Sequence, residues 1–189
     1  MSEVKTRTWS PATDEYQAVL AGLRDMVGAC MQCGTCTASC PNWHAMDVSP
    51  RRMWRMIQFG MLDEILESRT FWLCSSCYMC TLRCPRGLKL TSAMGALKRL
   101  ARLDGSRQAR RNGAFYEAFM ADVEANGRLQ EASMMQGYFL RRMDPRLPLS
   151  FLPLGLKMLG KGKLHLPNHA QRGRLGPMFA KVRQMEAGS

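Results

Sequence analysis

All eight cysteines of this 189-residue chain fall into two copies of one pattern, C-x2-C-x2-C-x3-C-P. The first copy is Cys30, Cys33, Cys36, Cys40 and Pro41; the second is Cys74, Cys77, Cys80, Cys84 and Pro85. Thiolates at this spacing hold iron–sulfur cubanes, and two copies imply two [4Fe–4S] clusters and movement of electrons. A cubane has four irons, and each needs one thiolate. Cysteines at i, i+3 and i+6 let a tight loop reach three corners of one cube. The residues between them must be small or flexible, so that backbone N–H groups can approach the sulfides. Gly34 and Thr35 meet that need in the first loop, and Ser75 and Ser76 in the second. The proline after each fourth cysteine has a fixed φ and no N–H. It suits a chain leaving the loop, or the first turn of a helix.

The fourth cysteine points away from its own loop, and in two-cluster ferredoxins it ligates the other cluster. The expected sets are therefore Cys30, Cys33, Cys36 and Cys84 for one cluster, and Cys74, Cys77, Cys80 and Cys40 for the other. The two runs form an internal repeat with an offset of 44 residues, in which Thr37 and Thr81 also match. Zinc and disulfides are the competing uses of cysteine. A zinc site wants four ligands, usually as paired C-x2-C, and has no need of the third cysteine of each triplet. A disulfide framework needs an oxidising compartment, and Met1-Ser-Glu-Val-Lys-Thr-Arg contains no apolar leader segment.

The formal charge is +12 with cysteines neutral. Eight thiolates and two oxidised cubane cores bring the loaded chain to about +8. Such a balance favours an acidic protein surface, an anionic membrane surface or nucleic acid. The basic residues are scattered in doublets such as Arg51–Arg52, Arg110–Arg111 and Arg141–Arg142, with no run of five. An acidic protein surface is the expected partner, and nucleic acid is not. Arg83 and Arg86 flank Cys84 and are candidates for raising a cluster potential. The most apolar stretch, Leu147 to Leu159, is 13 residues long and contains Pro148, Pro153 and Lys157. It is too short to span a bilayer. The expected location is the cytoplasm.

Residues 1–12 read as an extended arm, and Tyr16, Val19, Leu20 and Leu23 mark a helix leading into the first loop. Ser49, Pro50 and Gly60 are start and stop signals for a helix whose stripe is Met53, Trp54, Ile57 and Met61. A short helix is expected over 62–68. Thr91 is expected to cap the next helix, with Met94, Leu97, Leu100 and Ala101 as its stripe and Gly105 as its end. Residues 106–126 read as a helix with Phe115, Phe119 and Val123 on one face, closed by Gly127, and 129–143 as another. After Asp144, prolines and glycines are expected to break up any long helix. The fold class is all-α: an α-helical ferredoxin with N- and C-terminal docking extensions. Its expected parts are 1–24 (arm and helix start), 25–105 (two-cluster domain) and 106–189 (helical extension and docking tail).

Sixteen methionines read as flexible core and interface filler. Trp43, Phe71, Trp72 and Tyr78 neighbour the ligands and are expected to shield the clusters from water. His44, His165 and His169 are isolated and lack ligand spacing. No nucleophile–base set, phosphate loop or acid–base pair stands out, so no catalytic residue is assigned.

Phe71-Trp72-Leu73-Cys74-Ser75-Ser76-Cys77-Tyr78-Met79-Cys80, followed by Arg83-Cys84-Pro85-Arg86-Gly87, resembles the second cluster motif of the heterodisulfide reductase C subunit. Cys33 to Pro41 resembles its first motif, and Leu152 to Lys163, with Phe115 to Arg128 before it, resembles its C-terminal part. The resemblance covers roughly residues 25–182 and departs at no ligand position. It implies a non-catalytic electron-transfer protein with two [4Fe–4S] clusters. In that family such a protein passes electrons between a flavin-bearing iron–sulfur partner, the A-type component, and a cysteine-rich catalytic partner, the B-type component, which makes or breaks a disulfide. The alternatives are the iron–sulfur component of another flavin-dependent oxidoreductase, or a freestanding ferredoxin. Metal-site binding energy is folding energy, so the apo chain is expected to lose structure over residues 30–84.

Overall fold

The structure is a computed structural model that describes residues 13–163 and 172–187; the expected arm, His165 and His169 lie outside them. The described residues are helical without any strand. The chain divides into two units, residues 1–112 and 113–189.

In the first unit, α1 (Asp14–Gly28) starts at Thr13, whose Oγ1 accepts the Tyr16 N–H at 3.4 Å. Asp14 and Glu15 in its first turn complement the helix dipole. The one-turn helix α2 (Thr35–Ala38) lies in the first cysteine run. A 3₁₀ turn over Trp43–Ala45 leads to α3 (Pro50–Gln58). Ser49 caps α3 with proline at its first position, as expected. Its end is a paired left-handed cap: Gly60 has φ 76°, Met61 N–H donates to the Met56 carbonyl at 2.9 Å and Gly60 N–H to that of Ile57 at 3.0 Å. Met61 therefore lies beyond the helix and is exposed; Met56 takes its place in the buried stripe with Met53, Trp54 and Ile57.

Next come α4 (Leu62–Glu67), a 3₁₀ turn over Thr70–Leu73, and the one-turn helix α5 (Met79–Leu82) in the second run. They are followed by α6 (Leu90–Asp104), closed by Gly105 at φ 61°. Thr91 is not the cap of α6. It lies inside the first turn, and the hydroxyl serving its N–H comes from Thr81 in the cluster loop. The core is one cluster in which α1 packs against α6 and α3. Leu23, Val27, Met53, Trp54, Ile57, Ile65, Phe71, Leu97 and Leu100 are fully buried there.

The remaining helices are α7 (Arg107–Asn126), α8 (Glu131–Arg142), α9 (Arg146–Gly160) and α10 (Gly176–Ala187). In the second unit, α7 does not bury Phe115, Phe119 and Val123 as its main face. Phe115 is exposed, and the buried positions are Ala114, Ala118, Asp122 and Asn126. Small residues win because the neighbouring backbone comes close: a Cβ on Gly137 of α8 would lie 3.9 Å from that of Ala118. Asp122 is buried because it is fully used, accepting from Asn126 Nδ2 at 2.8 Å and from Gln130 N at 2.6 Å.

The tail also differs from expectation, since α9 runs 15 residues through two prolines. Pro148 falls in the first turn, where N–H groups lack helical acceptors anyway. Pro153 is interior and removes one helical bond. Leu149, Leu152, Leu154, Leu156 and Leu159 of α9 are all exposed, while Phe151 meets Phe139 of α8 at 5.8 Å between ring centroids. Arg183 of α10 holds Glu124 with a two-pronged ion pair at 2.8 and 3.1 Å. No described helix is long and apolar enough to cross a membrane.

Candidate metal centre

Each cysteine run is a loop of alternating backbone hand. Gln32 and Gly34 have φ of 61° and 86° in the first run; Ser76 and Tyr78 have φ of 53° and 62° at the equivalent places in the second. Successive residues of opposite hand turn their N–H groups into a concave nest, which suits anionic sulfides. The small-residue expectation thus holds at Gly34 and Ser76 but not at Tyr78. A tyrosine occupies the place where the first loop has glycine, at a backbone cost of about 1–2 kcal/mol for a non-glycine residue.

The helices after the loops lock them by equivalent bonds. Thr37 Oγ1 accepts the N–H of Arg51, the second residue of α3, at 2.9 Å. Thr81 Oγ1 accepts the N–H of Thr91, the second residue of α6, at 2.9 Å. The Thr81 and Thr91 hydroxyls also bond each other at 2.9 Å. Further along α3, Gln58 Nε2 donates to the carbonyl of Cys30 at 3.2 Å, and to those of Gly28 and Val27 at 3.1 and 3.3 Å. At the same register of α6, Lys98 Nζ donates to the carbonyl of Cys74 at 3.1 Å. Each run therefore has its first cysteine and its one-turn helix pinned by one helix, α3 or α6. Sequence reasoning found the matching threonines without their role. It missed Gln58 and Lys98, because their offset is 40 residues whereas that of the cysteines is 44.

The two runs meet where α2 packs against α5. Cys36 and Cys40 of the first run line one cavity with Cys74, Cys77 and Cys80 of the second. Burial pushes the Cys40 thiol up, and the charges of Cys74, Cys77 and Cys80 add to that, against a hydrogen bond from the Asn42 backbone. Burial likewise raises Cys36, with Cys30 adding to it, while the Trp54 indole and Thr37 act the other way. Cys33 is exposed, and its thiol is lowered chiefly by the Thr35 hydroxyl, 3.4 Å from its sulfur. Cys84 is half-buried at the core's edge.

The donors fit iron–sulfur cubanes. Among the described residues, no three His, Cys, Asp or Glu groups are gathered tightly enough to hold a single metal ion. A cubane asks instead for thiolates spread round a larger body. The Trp54 Nε1–H is buried beside Cys36 and finds no protein acceptor of good geometry. A sulfur-rich group at Cys36 would give it one.

The segment between the runs is bolted to the second loop. Asp47 accepts from Arg69 N at 2.9 Å and Thr70 Oγ1 at 2.8 Å, and Thr70 Oγ1 in turn accepts from Val48 N at 3.0 Å. Burial opposes ionisation of Asp47, but the bonds from Arg69, Thr70 and Val48 outweigh it and hold the carboxyl below its usual range. Asn42 Nδ2 reaches the Leu73 carbonyl at 2.8 Å, just before Cys74. Of the four expected shielding aromatics, only Phe71 and Trp72 are buried, with centroids 5.2 Å apart; Trp43 and Tyr78 are more than half exposed at 54% and 55%. His44, Arg83 and Arg86 are exposed.

Residues 29–88 match the family of 4Fe–4S dicluster domains. The chain is 44% identical over 79 residues to the iron–sulfur C subunit of the CoB–CoM heterodisulfide reductase of Methanopyrus kandleri, covering 42% of this chain and 41% of that one. It is 36% identical over 107 residues to the second iron–sulfur C subunit of the CoB–CoM heterodisulfide reductase of Methanocaldococcus jannaschii, covering 56% and 57%. It is 39% identical over 89 residues to the C subunit of the ferredoxin:CoB–CoM heterodisulfide reductase of Methanosarcina mazei, covering 47% and 55%. The chain thus spans about half the length of these curated relatives. The dicluster match covers both cysteine runs and α3, and ends just before α6. Over this two-cluster domain the chain is similar to heterodisulfide reductase C subunits, and it carries two [4Fe–4S] clusters.

Proposed function

We propose that this chain is the electron-relay component of a heterodisulfide reductase-like complex, with no bond-making chemistry of its own. The carrying observation is the meeting of two cubane loops through α2 and α5 on one small helical frame. Each cubane supplies one-electron storage, and adjacent sites suit a relay better than a single-site carrier. In this reading Cys30, Cys33, Cys36 and Cys84 hold one cluster, and Cys74, Cys77, Cys80 and Cys40 the other. The cavity that Cys40 shares with all of Cys74, Cys77 and Cys80 supports the exchange of fourth ligands. The αL nests and the Trp54 N–H supply hydrogen bonds to sulfur, while Phe71 and Trp72 exclude water from beside the second loop.

The relay's partners in this reading are a flavin-bearing A-type protein and a cysteine-rich, catalytic B-type protein, in the cytoplasm. The relatives' names as C subunits of heterodisulfide reductases support it. So do the exposed leucines of α9, which offer a surface for another protein. The test is anaerobic affinity purification of the tagged native chain, with iron counting and mass spectrometry. About eight irons per chain with stoichiometric A-type and B-type partners is the expected result. Eight irons and no partner would make it a freestanding ferredoxin; a flavin dehydrogenase of another type would make it a component of that enzyme.

A further inference from the structure

The two halves of the cluster frame share two pinning bonds, from a loop threonine to the start of the helix and from the helix to the carbonyl of the first cysteine, and differ in charge at the second. The ninth residue of α3 is Gln58 and donates to the carbonyl of Cys30, the first ligand of its run. The ninth residue of α6 is Lys98 and donates to the carbonyl of Cys74, the first ligand of the other run, at 3.1 Å. Both side chains are half-buried. The bond is the same; the charge is not.

We infer that Lys98 is a potential-tuning residue, holding the cluster at the second run more easily reduced than the same frame with a neutral donor would. Reduction adds one negative charge to a cluster, and a fixed positive charge beside its first ligand stabilises that added charge. Half-burial limits screening by water and salt. The other cations near the runs are placed less well: Arg55 donates to Gln58 Oε1 at 3.3 Å, so it reaches the Cys30 carbonyl only through that amide, and it is exposed. Arg51 brings its Cδ to 3.6 Å from where a Cβ on Gly34 would stand, but it is exposed, as are Arg83 and Arg86. Lys98, rather than the arginines flanking Cys84, is the charge held against a ligand's own backbone. The inference rests only on the two-cluster part of the proposed function and needs no partner protein.

The experiment is an anaerobic redox titration of the full, iron-loaded chain followed by electron paramagnetic resonance. Lys98→Gln keeps an amide donor that Gln58 shows can reach the equivalent carbonyl, so it removes charge while retaining the bond. At the wild-type midpoint, the reduced-to-oxidised ratio of one cluster is expected to fall about threefold to tenfold, tenfold being 59 mV for one electron. The other cluster stays where it was. Lys98→Arg leaves both in place, and Gln58→Lys raises the ratio of the other cluster. Iron counting before titration establishes loading. Unmoved midpoints in loaded Lys98→Gln, or equal shifts of both clusters, overturn the inference. Should Lys98→Gln fail to load, Gln58→Lys decides alone, and unchanged midpoints in it overturn the inference equally.

Discussion

Replacing Thr81 with valine keeps a β-branched shape and removes one oxygen. That oxygen takes the Thr91 N–H at 2.9 Å and exchanges a second bond with the Thr91 hydroxyl at 2.9 Å. Thr91 is buried at 8% exposure, so water does not readily replace the lost acceptor. An orphaned buried N–H costs roughly 1–3 kcal/mol, and about 2 kcal/mol is expected here because the Thr91 hydroxyl keeps the Cys80 sulfur at 3.6 Å. The equivalent change Thr37→Val frees the N–H of Arg51, which is exposed and can be hydrated. It should cost only about 0.5–1 kcal/mol, the lower range for loss of a helix cap. The assay is anaerobic cluster loss to an iron chelator, followed by absorbance. If the loop must part from its helix before iron leaves, Thr81→Val speeds loss about 30-fold and Thr37→Val by less than about fivefold. A Thr81→Val rate equal to wild type, or a larger effect at Thr37, would refute the latch.

Gly34→Ala should cost about 1–2 kcal/mol through its φ of 86° rather than through space, since the nearest atom to the new Cβ is Arg51 Cδ at 3.6 Å. Tyr78→Gly should be neutral or slightly stabilising; faster cluster loss in that variant would show that the tyrosine ring matters more than its backbone. Asp47→Asn tests the inter-loop bolt by pH. The folded carboxyl is held low, so its contribution is present above the ordinary value of about 3.9 and is lost as pH falls through the folded value. The thermal midpoint of the variant should fall below wild type by about 4 °C at pH 7, and the gap should narrow as pH falls below the ordinary carboxylate value; a gap that does not change with pH would refute the ionised bolt. Chelation under anaerobic conditions should lower the circular-dichroism helix signal of the whole chain, and unchanged helicity would contradict coupling of clusters to folding.

The two-cluster domain was legible because the chemistry demands one residue type at fixed spacing. So was the α3 frame, since Ser49, Pro50 and Gly60 act locally through their own backbone positions. What sequence pattern missed depends on distant partners. Thr91 carries a good capping side chain, yet its N–H is served by Thr81 from a loop ten residues earlier. The lost symmetry of Gln58 and Lys98 hides behind linkers of unequal length. In α7 the bulky aromatic stripe outscored the small residues, but close approach of Gly137 to Ala118 selects the alanine face. In α9 the prolines read as breakers, although one sits in the first turn where no helical bond is forfeited. Tyr78 shows that a left-handed position can be imposed by the packing of a loop on its helix, without glycine to announce it.

The exchange of fourth ligands between the two runs is tested most directly by removing them one at a time. Cys40→Ala and Cys84→Ala are purified anaerobically, counted for iron and examined by electron paramagnetic resonance, with Lys98→Gln marking the cluster of the second run by its shifted midpoint. Cys40→Ala is expected to damage the Lys98-marked cluster, and Cys84→Ala to spare it. Damage to the marked cluster by Cys84→Ala, with Cys40→Ala sparing it, would contradict the shared frame.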